Sequence, residues 1–121
     1  MIQLRSMLKL ADNSGAKELQ VIGIPGRIGK KASVGDVVRC VVKGADPAGA
    51  VNDKEKIKAV IVRTRKEAGR VDGSYVRFDD NAAVVIDKQG LPRGTRILGP
   101  IAREVKEMGY TKIASLAKEV I

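Results

Sequence analysis

Apolar residues in this chain recur mostly at every second position, in short runs broken by Gly, Asn, Asp and Pro; a helical spacing appears only beyond Pro100. The pattern predicts a mainly β domain with a helical end. A first strand over 7–11 stops at Asp12-Asn13-Ser14-Gly15, residues whose side chains bond their own backbone and tolerate turn geometry. A second, over 18–24, stops at Pro25-Gly26. Val34-Gly35-Asp36 then launches 37–43, in which Val38, Cys40 and Val42 share one face while Arg39 and Lys43 share the other. Cys40 therefore reads as a core residue.

A polar loop over 47–55 precedes the longest strand, 56–66. There Ala59, Ile61, Arg63 and Arg65 alternate with Val60, Val62, Thr64 and Lys66, so an apolar half turns basic as the strand leaves the core. Asp72-Gly73 is a hairpin signal that returns the chain through 75–78, which makes a projecting ribbon. Residues 81–86 read as one more buried strand. Ile101, Val105 and Met108 then fall on one helical face with Gly109 as C-cap, and Thr111 is the predicted N-cap of a second helix carrying Ile113, Leu116 and Val120. Short strands at turn-rich spacing fit a small closed barrel better than a sandwich with open edges. The expectation is one domain, 1–121, with a barrel and ribbon over 1–99 and short helices over 100–121.

Composition removes whole classes of chemistry. Among 121 residues there is no His, no Trp and one Cys, so neither a Ser-His-Asp triad nor a Cys/His zinc site can be assembled. The run from Gly23 to Lys31 lacks the Gly and the Ser or Thr of a phosphate loop, and Pro25 withdraws a backbone donor; what remains is a basic loop with Arg27, Lys30 and Lys31, either a phosphate patch or a solvated turn. Asp79-Asp80 reads as a turn. No enzyme, cofactor or metal is expected. With no long apolar run, the chain reads as soluble, intracellular and unprocessed, without a membrane or small-molecule partner.

Charge points instead to a polyanion: 23 Lys plus Arg against 14 Asp plus Glu leave +9. The excess is spread along the chain. On the ribbon, Arg63 and Arg65 share a face of one arm and Tyr75 and Arg77 a face of the other, which would set three guanidinium forks around one ring. Such a set either grips RNA phosphates and stacks a base, or keeps an edge ribbon soluble. Arg93, Arg96 and Arg103 form a second cluster with the same two readings.

Ala59-Val60-Ile61-Val62, then Asp72-Gly73, then Phe78-Asp79-Asp80-Asn81-Ala82-Ala83-Val84-Val85 resembles the signature of the universal large-subunit ribosomal protein number fourteen family. So do Ala11-Asp12-Asn13-Ser14-Gly15-Ala16-Lys17, Val34-Gly35-Asp36-Val37, Pro92-Arg93-Gly94-Thr95-Arg96-Ile97-Leu98-Gly99-Pro100 and Ile113-Ala114-Ser115-Leu116-Ala117, in order along the chain. The resemblance implies a Greek-key β-barrel of the bacterial or organellar type, in the cytoplasmic ribosome. It implies an rRNA-binding constituent of the large subunit beside ribosomal proteins three and nineteen. It further implies bridges to small-subunit rRNA and docking of the ribosome silencing factor, at Thr95, Arg96 and Lys112. Candidate rRNA-binding residues are Lys17, Arg27, Lys30, Lys31, Arg63, Arg65, Lys66, Arg70, Tyr75, Arg77 and Arg93. The loop over 49–56, with Asp53 and Glu55, is more acidic than the family's usual segment. The rival reading is a free-standing barrel that binds single-stranded nucleic acid, against which stands the poverty of aromatic platforms.

Overall fold

A computed structural model describes every residue except 1, 4, 26–30 and 50. Five strands close a barrel: β1 (Met7–Leu10), β2 (Ala16–Gly23), β3 (Val37–Ala45), β4 (Lys56–Arg63) and, after a two-stranded ribbon of β5 (Ala68–Gly69) and β6 (Tyr75–Val76), β7 (Ala82–Ile86). Neighbours in the order β1, β2, β3, β4, β7 are antiparallel, and a parallel pairing of β7 with β1 through Lys9↔Ala82 and Leu10↔Ala83 completes the circle. Closure leaves the barrel without a free edge. Two short helices follow, α1 (Arg103–Glu107) and α2 (Thr111–Leu116).

Side-chain alternation explains which faces are dry. On β3, Val38, Cys40 and Val42 point into the lumen with no exposed surface, opposite Leu19 and Val21 of β2 and Ala59 and Ile61 of β4. β7, and β4 from Ala59 onward, differ from the other strands because both their faces are covered. Ala59, Ile61, Ala83 and Val85 line the lumen, whereas Val60, Val62, Ala82 and Val84 lie in a second cluster with Ile97, Ile101, Val105 and Ile113. Strands buried on both sides read as continuous apolar runs, which is why Ala59-Val60-Ile61-Val62 and Ala82-Ala83-Val84-Val85 carry no polar residue.

The long strand predicted over 56–66 stops at Arg63. The pairing with β7 slips between Ile61 and Arg63, the buried Thr64 hydroxyl donates to the Lys66 carbonyl at 3.0 Å, and Asn81 Oδ1 takes the Arg65 N–H at 2.9 Å. Those bonds swing the chain into the ribbon, whose turn is closed by Asp72 Oδ1 accepting from Ser74 N and Oγ. The ribbon's tip over 71–74 is exposed, but its inner face is not: Ala68, Val76 and Phe78 pack into the lumen cluster. It therefore seals one end of the barrel and projects only at its turn.

The helical unit also departs from the periodic reading. Thr111 is the first residue of α2, not its cap; Tyr110 holds the cap position, without a side-chain bond. Met108 is 61% exposed, and Val120 lies beyond the helix, where it pairs as a parallel bridge with Ile101. Burial of Val105 and Ile113 anchors these helices, since each is too short to be stable unaided.

Burial pushes the Cys40 thiol up to about 12. The folded protein at pH 8 should therefore leave a disulfide reagent such as dithionitrobenzoate unreacted over the time in which the urea-unfolded protein consumes one equivalent. Fast reaction of the folded form would contradict a closed barrel.

Candidate nucleic-acid interface

The ribbon carries the sequence's most specific cluster, and the fold divides it. Arg65, Lys66, Tyr75 and Arg77 are exposed, with the Tyr75 ring lying over Gly69, where a Cβ would come within 3.4 Å of the ring. Arg63 is not with them. The slip in the β4–β7 register turns its side chain toward the barrel end, where it is 9% exposed. Its Nη1 donates to the carbonyls of Leu98 at 2.9 Å and Pro100 at 3.3 Å, and Nε lies 3.0 Å from Asp80 Oδ1, a charge contact without hydrogen-bond alignment. Gly99, between those carbonyls, has φ of +78°, and a Cβ there would overlap Arg63 Nη1. Arg63 is thus withdrawn from the expected set of three forks, leaving Arg65 and Arg77 exposed on the ribbon, and Asp80 of the predicted turn is the partner of Arg63.

Two other candidates are tied inward in the same way. Arg70 forks onto Glu104, with Nη2 to Oε1 at 3.0 Å and Nε to Oε2 at 3.4 Å, and Nη2 also meets the Ile121 carbonyl at 2.6 Å. This strap fastens the ribbon to α1. Arg93 donates to Glu55 Oε2 at 3.0 Å, so the loop after β7 is held to the start of β4. The acidic loop has a structural use here: Asp53 Oδ1 accepts the Gly44 N–H at 2.8 Å, and Glu55 accepts that of Asn52 at 2.9 Å. The Asn52 bond first, and then Arg93, hold the Glu55 carboxyl below its ordinary range.

A second surface is built by residues 11–14 gripping residues 92–98. Asn13 Oδ1 accepts the N–H groups of Thr95 at 2.7 Å and Arg96 at 3.0 Å, and Asn13 Nδ2 donates to the Thr95 hydroxyl at 2.9 Å. Beside it the buried Asp12 accepts from Ser14 N and Oγ through Oδ1 and from Val85 N at 3.0 Å through Oδ2. Burial raises its carboxyl above the usual value, and those bonds offset part of the rise. Gly94 is required by proximity, since a Cβ would lie 2.8 Å from Asn13 Oδ1. Thr95 and Arg96 are thereby presented outward on a fixed backbone. Ile97 and Ile113 share the outer cluster, so the exposed Lys112 of α2 belongs to an element packed on the same layer.

Lys17 and Lys31 are exposed; the Lys17 stem crosses Gly44, where a Cβ would meet its Cδ at 3.3 Å. Arg27 and Lys30 lie outside the described residues. Among the described residues, every Lys and Arg except Arg63, Arg70 and Arg93 is exposed. Sequence reasoning missed the structural use of those three, and also Asn13. The signal available for Arg63 was its place at the apolar end of a doubly buried strand. No group of three or more Asp, Glu or Cys that could hold a metal ion occurs among the described residues.

The model of the family described as ribosomal protein L14p/L23e matches residues 1–121. The chain belongs to this family. Similar proteins are the large ribosomal subunit proteins uL14 of Petrotoga mobilis, 59% identical over 99% of both chains, and of Aquifex aeolicus, 57% identical over the full length of each. That of Hydrogenobaculum sp. is 56% identical, again over both full lengths. A member of this family is a ribosomal structural protein and not an enzyme.

Arg63→Ala should cost about 2 kcal/mol or more in urea unfolding, because it strips two carbonyls of their donor and the Asp80 carboxylate of its counter-charge. Arg65→Ala should stay within about 0.5 kcal/mol. Equal effects would remove the distinction between the two arginines.

Proposed function

We propose that this chain, a structural constituent of the large subunit in the cytoplasmic ribosome, fixes folded rRNA by many separate phosphate contacts and catalyses nothing. The observation that carries this is the sorting of charge: the arginines at the barrel ends are neutralised internally, while the exposed cations cover strands, ribbon, loops and helices alike. Charge spread over several faces suits a small body wedged among RNA segments, with large-subunit rRNA on one side and bridges to small-subunit rRNA on another. Lys17, Lys31, Arg65, Lys66 and Arg77 supply phosphate contacts in this reading, and Tyr75 a stacking surface. Arg27 and Lys30 would add to them. Arg63, Arg70 and Arg93 act by holding the scaffold in shape.

The loop that Asn13 fixes, with Thr95 and Arg96, and Lys112 on α2 would form the docking edge for the ribosome silencing factor. Ribosomal proteins three and nineteen are the expected neighbours in the subunit. A single exposed aromatic ring among the described residues, Tyr75, favours gripping prefolded RNA over stacking a run of splayed bases.

Binding of the purified protein to 23S-type rRNA should weaken steeply with salt, and joint reversal of Arg65, Lys66 and Arg77 to Glu should reduce the log–log slope by about two to three. The same variant should melt at an unchanged temperature and sediment free of large subunits in a Mg-containing gradient. An unchanged slope, or displacement of rRNA by equimolar oligouridylate, would refute the reading. Arg96→Glu with Lys112→Glu should weaken silencing-factor binding at least about tenfold in a pull-down titration while leaving incorporation into large subunits intact; loss of incorporation would place those residues on rRNA instead.

A further inference from the structure

Where β4 starts and β7 ends, away from the ribbon that joins their other ends, the barrel bears a groove of about 530 Å³ that the rRNA reading leaves unexplained. Strand register sets its chemistry. Arg39 of β3 stands directly opposite Lys58 of β4, with Gly23 of β2 and Ile86 of β7 as their outer partners in the same row. Lys56 lies two residues along on the same outward face, and Lys88 follows from the end of β7. Like charges directly opposite one another on a sheet oppose pairing. None of these four cations has a carboxylate within 4.0 Å among the described residues. The groove's own acids are committed elsewhere, Glu55 to Arg93 and Asn52, and Asp87 Oδ1 to the N–H groups of Gln89 at 2.9 Å and Leu91 at 3.0 Å.

The floor is apolar. Ile22, 47% exposed, sits with Ile57 and Ile86, and no aromatic side chain lines the groove. A phosphate backbone would satisfy the cations but leave the exposed Ile22 wet, since Ile57 and Ile86 are already buried, and a base would find no ring to stack on. A strand cannot be added here either, since β3 and β4 are both paired on each side. An occupant that uses both features carries a few carboxylates around an aliphatic side chain.

We propose that this groove docks an acidic, extended peptide segment of a partner protein, which seats one aliphatic side chain against Ile22 and sets flanking carboxylates on Arg39 and Lys58. The test titrates the isotope-labelled intact protein with the blocked peptide Gly-Glu-Ile-Glu-Gly, its counterpart with Ser for Ile, and oligouridylate, and follows amide shifts. The first peptide should move Ile22, Arg39 and Lys58, the Ser peptide should bind about fivefold or more weakly, and oligouridylate should not displace either. Lys58→Glu and Ile22→Asn should each weaken the first peptide about tenfold, and Lys58→Glu, on an exposed side chain, keeps the test open should Ile22→Asn lower the melting temperature. Absence of shifts in the groove, equal affinity for the two peptides, or displacement by oligouridylate, which would make the groove an RNA surface, overturns the proposal. The rRNA titration of Arg65, Lys66 and Arg77 is read at other residues, so the two readings fail separately.

Discussion

Burial of β4 and β7 on both faces is the constraint from which the remaining architecture follows. Apolar runs of four residues on β4 and five on β7 supply two dry surfaces, one facing the lumen and one facing out. The lumen face is satisfied by closure with β1, β2 and β3. The outward face must be covered by something else, and Ile97, Ile101, Val105 and Ile113 do so. Helices of five and six residues would not persist in water alone; here they are held as a cover over Val60, Val62 and Val84. The cover in turn needs tethers, and these are Arg63 to Leu98 and Pro100, and Arg70 to Glu104 and Ile121.

Arg63 shows how a charge can serve packing. At the end of β4 the chain must leave the barrel, the ribbon must close over the opening, and the segment leading to α1 must pass beside both. One guanidinium spans these three pieces, with Asp80 from the ribbon's return and two carbonyls from residues 98 and 100. Loss of a donor at such a site leaves part-buried acceptors unpaired, a larger cost than an exposed ion pair carries. Gly99 is fixed by the same contact, through both its positive φ and the closeness of the guanidinium.

Much of this was legible in the chain. The alternation of Val38, Cys40 and Val42 gave their common face, the turn residues gave the strand ends within a few positions, and the ordered motifs gave the family. What periodicity could not show is a change of direction caused by side-chain bonds. Arg63 and Arg65 are two residues apart and read as neighbours on one face; the register slip at Arg63 and the bonds made by Thr64 and Asn81 separate them. The same holds for Val120, whose helical spacing from Ile113 and Leu116 is real although the helix ends at Leu116 and Val120, 38% exposed, pairs instead as a bridge with Ile101. Nor could sequence pair Arg93 with Glu55 or Asn13 with Thr95, because those contacts join segments 38 and 82 residues apart.

Sorting of the cations links this scaffold to its use. A guanidinium that bridges two segments of the fold is not available to a phosphate without loosening those segments, whereas one on an outward strand face or ribbon tip can exchange water for phosphate at little cost to the barrel. Family membership alone treats Arg63, Arg65, Arg70, Arg77 and Arg93 as one basic population. The structure separates them by partner, and the separation has a physical consequence for assembly. On the proposed reading the inward arginines set beforehand the shape that would meet RNA, so the outward ones would bind from a rigid frame and lose little conformational freedom beyond their own rotamers. Preorganisation of this kind does not depend on aromatic stacking or a titrating histidine, which accounts for a chain that has three aromatic residues and no His.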